Sequence, residues 1–295
     1  MVKFKMTKSK MNVLKVKKEG KWTFVYIFMI ALVAFTSLPL VYLISTAFKP
    51  LNELFLFPPR FFVKEPTLKN FTDLMLSLSS STVPFTRYIL NSLYVTVITV
   101  ILTVFVSTLG AYSLVKHNPP GTRKLFKFII ATMMFSPYVT QIPRYLVVNS
   151  IGLVNKIAAL IIPNIAVSYN FFLIKQFVEQ FPNELLEAAR IDGAGEFYTY
   201  WKIVMPVLTP AWSTLIVFSY VSSWNDYFSP LIYINNQALK TLPLALRTIS
   251  GGGASIGRAG AVAAATMLMT IPTVVVFTSM QNKVMETMVH SGIKG

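Results

Sequence analysis

Apolar residues in this chain run in long blocks separated by short polar or charged segments. A helix rises about 1.5 Å per residue, so crossing a hydrocarbon core of about 30 Å takes about 20 apolar residues. Six blocks reach that length: residues 22–48, 88–115, 124–148, 156–177, 207–235 and 260–282. The second holds no Asp, Glu, Lys or Arg. Pro137 and Pro143 interrupt the third block and Pro163 the fourth. A proline in a membrane helix frees backbone groups that neighbouring polar groups must satisfy. The pattern predicts an all-α, polytopic membrane protein with six transmembrane helices within residues 22–282.

The segments between the blocks set an orientation. With the N-terminus inside, the cytoplasmic segments are the tail before Trp22, the stretch 116–127, the stretch 175–202 and the C-terminal tail 283–295. Those carry 17 Lys and Arg against 10 on the opposite side, which favours cytoplasmic N- and C-termini under the positive-inside rule. Residues 1–21 are then a basic inner tail, and residues 49–87 an outer loop rich in Pro and aromatics, large enough for a small ordered lobe. The tail has the charge of a secretory signal, but the apolar stretch Trp22–Phe48 exceeds the roughly 7–15 residues of a signal core and no small-x-small cleavage site follows it. It is predicted to be an uncleaved anchor, the first transmembrane helix.

Composition agrees with a membrane as solvent: 54% hydrophobic, 13% charged and a mean hydropathy of +0.58, well to the apolar side of a soluble domain. The net charge of +16 would in a soluble protein suggest nucleic acid. Here the basic residues flank apolar blocks, and the run from Lys3 to Lys21 lacks the interleaved aromatics of a single-strand platform, so no nucleic-acid partner is expected. Cysteine is absent, which removes disulfides, thiolate nucleophiles and thiolate metal sites. The two histidines, His117 and His290, are far apart in sequence, and no metal site is expected.

One inner segment stands apart. Residues 179–206 hold Glu179, Glu184, Glu187, Asp192 and Glu196, five of the chain's eleven acids. Acids contribute little to topology, so their clustering has another cause. The text NELLEAARIDGAGEF predicts a short amphipathic helix with Asn183 as N-cap, Glu184 in the first turn and Gly193 as the stop. Leu185, Ala188 and Asp192 share one face, and Ala189 and Gly193 an adjoining one. A cytoplasmic helix with small residues on its surface suits docking into a partner's groove; interfacial packing is the plainer alternative.

Glu187-Ala188-Ala189, three residues, Gly193, nine residues, then Ile203-Val204-Met205-Pro206 resembles the EAA loop of permease subunits of binding-protein-dependent ABC importers. Met205 replaces the usual Leu, a volume-conserving change. EAARIDGA followed by Phe197 and Trp201, then SWNDYFSPL at 223–231, is similar to the carbohydrate-uptake branch, typified by the smaller permease of the maltose system. Further likenesses lie at Phe57-Pro58-Pro59-Arg60-Phe61, at Pro66-Thr67-Leu68-Lys69-Asn70-Phe71 and at Ser291-Gly292-Ile293-Lys294-Gly295.

The resemblance implies a five-helix core plus an N-terminal helix in a bacterial or archaeal cytoplasmic membrane. It implies as partners a homologous second permease, two ATPase subunits and an extracytoplasmic solute-binding protein, and a sugar as substrate. By the match, Glu184, Glu187, Ala188, Ala189, Asp192, Gly193 and Pro206 belong to the ATPase-coupling loop, and Ser291, Gly292 and Lys294 to a C-terminal ATPase contact. The chain has no GxxxxGK[ST] loop, and Gly251-Gly252-Gly253 is followed by no Lys, so ATP and Mg are expected on the partner subunits and no cofactor or catalysis on this chain. In the fifth block Asp226 is the only charged residue, and an ionisable group inside a span is a functional candidate. Trp224, Asn225 and Asp226 are therefore candidate substrate-pathway or gate residues; Asp226 could equally cap backbone, reach water or pair with Arg247 or Arg258. Within the family, glycerol phosphate or a polyamine is the alternative solute. A secondary transporter or channel without an ATPase would call for paired intramembrane charges and an inverted repeat, and neither is evident.

Overall fold

The computed structural model describes residues 8–79, 83–250 and 258–292, and among these residues the regular structure is helical, with no strand. Three helices are long and straight in register: α1 (Lys8–Phe48), α4 (Phe85–Tyr112, continued by a π-helical turn over Ser113–His117) and α15 (Ala259–Gly292). Their stretches Trp22–Phe48, Phe85–His117 and Ala259–Met285 are long and apolar enough to cross a membrane. The described parts of both tails extend these helices: residues 8–21 of the basic tail belong to α1, and residues 283–292 of the expected C-terminal tail belong to α15.

The other three apolar blocks are broken helices, the third and fourth at or near the prolines that the sequence marks. Residues 122–150 form α5 (Thr122–Met133) and α6 (Pro137–Ser150), turned by 114°. Pro137 starts α6, and the residue before a proline is pushed out of the helical region; Ser136 is accordingly extended, with ψ 138°. The fourth block is α7 (Ala158–Ile165) and α8 (Ser168–Gln180), bent by 42° just after Pro163. Next come α9 (Asn183–Ile191) and α10 (Glu196–Thr199). A second π-helical turn (Tyr200–Val204) leads into α11 (Met205–Val207), and a 79° bend at Leu208 leads into α12 (Thr209–Trp224). The fifth block therefore stops at Trp224; α13 (Phe228–Tyr233) and α14 (Leu242–Ser250) are separate short helices.

The core forms where α12 packs between α4 and α15. In lipid, helices gain little from hiding apolar surface and associate through close packing and hydrogen bonds. The face of α4 turned inward is built for that: Thr96, Thr99, Thr103, Ser107 and Thr108 recur every one to four residues and are all buried. Trp224 closes the outer end of α12. It is buried, stacks on Tyr220 at 5.7 Å and donates its indole N–H to the Met269 carbonyl at 3.0 Å. By contrast α1 is exposed over most of its apolar length and packs on α15 and the outer lobe mainly near its C-terminal end.

The segment between α1 and α4, expected as the outer loop, is a lobe pinned by its own polar groups, with α2 (Leu51–Leu54) and α3 (Lys69–Ser79). The Asn70 side-chain amide donates to the carbonyls of Ala47 and Lys49 at 2.9 and 2.7 Å, which closes the end of α1. The Ser45 hydroxyl donates to the Phe61 carbonyl at 2.8 Å. The buried Glu53 carboxylate accepts the amides of Lys64 and Glu65 at 3.1 and 2.9 Å. Gly260 lies directly against Asn70, so that a Cβ there would overlap the amide oxygen.

Two outcomes follow. The Lys64 amide foremost, with the Glu65 amide and the charges of Arg60 and Lys49, holds the Glu53 carboxyl below its ordinary value of 4.5, against the opposing effect of burial. A carboxyl whose folded value is depressed stabilises above its unfolded value and loses that contribution as pH falls through the folded one. Protease nicking of the lobe should therefore rise on acidification below about pH 4.5, and Glu53→Gln should flatten the profile. Gly260→Ala should force Asn70 off its two carbonyls and lower stability by about 1–3 kcal/mol, read as a drop in the unfolding temperature of the detergent-solubilised chain.

Candidate functional site

Two features qualify as sites: a polar cavity between the helices and an exposed loop at the other end of α4. The cavity has a volume of about 310 Å³ and opens where the broken fourth block faces α4 and α12. The break after Pro163 leaves Asn164, Tyr169 and Asn170 around it, α4 contributes Thr99, and α12 contributes Phe218, Ser219, Ser222 and Ser223. Asp226 reaches it from the break after α12. Asn170 donates to the Ser219 hydroxyl at 3.3 Å, and Arg144 of α6 holds the Asn164 carbonyl oxygen at 2.6 Å. The Thr99 hydroxyl is buried with no hydrogen-bond partner among the described residues. Tyr169 and Phe218 meet with ring centroids 6.1 Å apart. The wall thus offers hydroxyls, amides and one carboxylate for hydrogen bonding, with aromatic faces beside them.

The three residues singled out in the fifth block part ways here. Trp224 is structural, buried against α15 and away from the cavity lining. Asn225 is exposed, and its amide donates to the Val221 carbonyl of its own helix at 2.8 Å. Asp226 has two engagements: one carboxylate oxygen accepts the amides of Phe228 and Ser229, both at 3.0 Å, which starts α13, and the residue borders the cavity. Asn164, Asn170 and the serines of α12 went unread although a signal was present. Two Asn in one apolar block, and hydroxyls spaced three or four apart in the next, mark helix faces turned away from lipid.

The loop carries α9. Asn183 is the first residue of this helix and does not cap it; its side chain accepts instead from the Lys116 ammonium at 2.8 Å, because Pro182 precedes it in extended conformation. The stop is as expected. Gly193 takes φ +77°, with Gly193 N–H on the Arg190 carbonyl and Ala194 N–H on the Ala189 carbonyl at 3.0 and 2.9 Å, the paired bonds of a Schellman ending. Leu186 and Ala189 turn into the bundle and are buried. Glu184, Leu185, Ala188, Ile191 and Asp192 lie on the exposed side, Ile191 with 86% of its surface open. Glu187 is exposed too and borders a shallow polar cavity shared with Lys116, Glu179 and Arg190. Pro206 falls in α11, at the 79° bend. Ser291 and Gly292 close α15, while Lys294 lies outside the described residues.

A family model described as "Binding-protein-dependent transport system inner membrane component" matches residues 22–285. The chain belongs to that family. As a permease subunit it works, by the family's definition, with ATPase subunits and a solute-binding protein. Protein LplC of Bacillus subtilis (strain 168) is 32% identical to the permease over 279 residues, 89% of this chain and 90% of LplC. The polygalacturonan/rhamnogalacturonan transport system permease protein YtcP of the same strain is 31% identical over 76% of each chain. The arabinooligosaccharides transport system permease protein AraQ of Halalkalibacterium halodurans is 26% identical over 90% of this chain and 94% of its own. Among solved structures, a chain of a bacterial ABC transporter involved in the import of the acidic polysaccharide alginate superposes with a TM-score of 0.75. It is 21% identical, and the match covers 95% of the permease and 99% of that chain. At that identity the likeness speaks for the fold.

Asp226 allows a clean separation of its two engagements. Asp226→Ala removes the acceptor for two amides and should cost about 1 kcal/mol, whereas Asp226→Asn keeps a carbonyl oxygen in place and should unfold near the wild-type temperature. Thermal unfolding of both variants in detergent checks this.

Proposed function

We propose that this permease imports a sugar, most simply an oligosaccharide, and forms half of the pathway, a homologous second permease forming the other half. Relatives named for arabinooligosaccharides and for polygalacturonan/rhamnogalacturonan support the substrate class. So does the cavity, whose hydroxyls, amides and paired rings match the alternating hydroxyl edge and apolar face of a pyranose. Six crossings, with both termini in the cytoplasm, are supported by three long helices and three bent helix pairs, each pair as one interrupted span, together with the 17-to-10 distribution of Lys and Arg. Two of the bent pairs, α7 with α8 and α11 with α12, contribute to the cavity wall, where irregular backbone is tolerated because it lines polar space.

On this reading ATP is hydrolysed on the partner subunits, and α9 is the element they grip. The observation that carries the coupling role is the division of α9 into two faces. Leu186 and Ala189 are held by the bundle, while Leu185, Ala188 and Ile191 stand exposed between the acids Glu184 and Asp192. An apolar strip rimmed by charge on an otherwise anchored helix is an interface without its partner. Ala189 then supports the docking helix from behind, and Ala188 makes the close approach. The closing turn of α15, with Ser291 and Gly292, is a second contact toward the ATPase subunits.

Ala188→Arg should leave membrane insertion and helix content unchanged and weaken co-purification of the ATPase subunits by about tenfold or more, a loss of at least about 1.4 kcal/mol. ATP-driven sugar uptake into proteoliposomes should fall with it. Retained association and uptake in that variant would remove α9 as the docking element.

A further inference from the structure

The docking helix is tied at both of its ends to one neighbour, the inner end of α4. Lys116 sits in the π-helical turn that closes α4, and its ammonium donates to the Phe181 carbonyl at 2.7 Å and to Asn183 Oδ1 at 2.8 Å. Phe181 ends α8 and Asn183 begins α9, so one lysine holds the start of the docking helix and satisfies a terminal carbonyl of the helix before it. At the other end, Arg190 in the last turn of α9 donates to one oxygen of Glu196 at 3.1 Å. The second oxygen of Glu196 accepts the Tyr112 hydroxyl at 3.0 Å, and His117 Nε2 stands 3.5 Å from it. Tyr112 and Lys116 are four residues apart; Lys116 reaches the start of α9 directly, and Tyr112 reaches its end through Glu196 of α10.

Stability alone does not account for this arrangement. Arg190 and Glu196 keep 55% and 52% of their side-chain surface in solvent, and exposed pairs of this kind stabilise by little. What the two links add is direction. Beneath them α4 and α8 meet closely, with Gly110 against the Phe171 ring and Ala111, Ile174 and Val178 buried. Thr99, on the cavity wall, lies on the same helix 13 residues from Tyr112, about 20 Å along it. A force on α9 therefore reaches the cavity through one rigid rod.

We propose that Lys116, Tyr112 and Glu196 are positioning residues that clamp α9 to α4, so that the docking helix and the inner end of α4 move as one body when the ATPase subunits close. The inference rests on the docking role of α9 given above. π-helical turns concentrate at functional positions, and here the turn at Ser113–His117 carries Lys116 and directly follows Tyr112.

The chain has no cysteine, so an introduced pair is unique on it. Lys116→Cys with Asn183→Cys, in a complex reconstituted with cysteine-free partners, removes the first link and allows a short thiol-specific crosslinker to replace it. Sugar taken up per ATP hydrolysed should fall about fivefold or more in the open pair, the scale of a modest coupling energy, and return to near the wild-type ratio once the crosslink forms. Tyr112→Phe, which deletes one hydroxyl, should lower the same ratio while the unfolding temperature stays within a few degrees. Arrest of transport by the crosslink would overturn the proposal, because it would mean that the contact must open in each cycle. An unchanged ratio in the open pair would overturn it by showing that the link carries no motion. Failure of the docking role itself is read separately, as ATPase association and sugar uptake that Ala188→Arg leaves unchanged.

Discussion

A hydrocarbon core contains no water to take up a free amide or carbonyl, so the chain must satisfy its own backbone wherever it lies in lipid. That demand explains why the apolar blocks are helical, and where helices end, inside the apolar blocks or outside them, polar partners meet freed backbone groups. After α12, Asp226 accepts the amides of Phe228 and Ser229; after α8, the Lys116 ammonium donates to the Phe181 carbonyl; after α9, the Schellman bonds close the helix at Gly193. None of these polar side chains is decoration, since removing one leaves a backbone group unmatched.

The same breaks produce the two functional features. Where Pro163 interrupts the fourth block, Asn164, Tyr169 and Asn170 turn toward Thr99 and the serines of α12 and make a cavity that lipid-facing helices could not offer. Where the chain leaves α8 and returns through α10, it spares nine residues for α9, held on one face and open on the other. The cavity and α9 lie at different heights along α4. The buried small hydroxyl residues of that helix let α12 approach closely over the length between them. A transport cycle that couples a cytoplasmic event to a pathway inside the membrane needs such a continuous element with two packed neighbours.

Much of this was legible beforehand, because apolar length and charge are local properties of a sequence. The first, second and sixth blocks are the long helices, and Gly193 ends the amphipathic helix where the chain needs a positive φ. The bends in the other blocks were less legible, because hydropathy measures how far a segment can lie in lipid and is silent on whether it does so in one direction. Pro137 announced a break, yet the 114° between α5 and α6 depends on what each half packs against. Trp224 and Asp226 were adjacent and equally conspicuous in sequence, but one seals the core and the other borders the cavity.

The sequence by itself determined that the chain lives in a membrane, that it is helical, where its acidic loop lies and which family it joins, because solvent preference and motif spacing are written residue by residue. Only the tertiary structure decided which polar side chains meet. Asn170 and Ser219 are 49 residues apart, Tyr112 and Glu196 are 84, and no local pattern carries the direction in which two helices face each other. The physical reason is that a hydrogen bond between distant segments is chosen by the packing of everything between them.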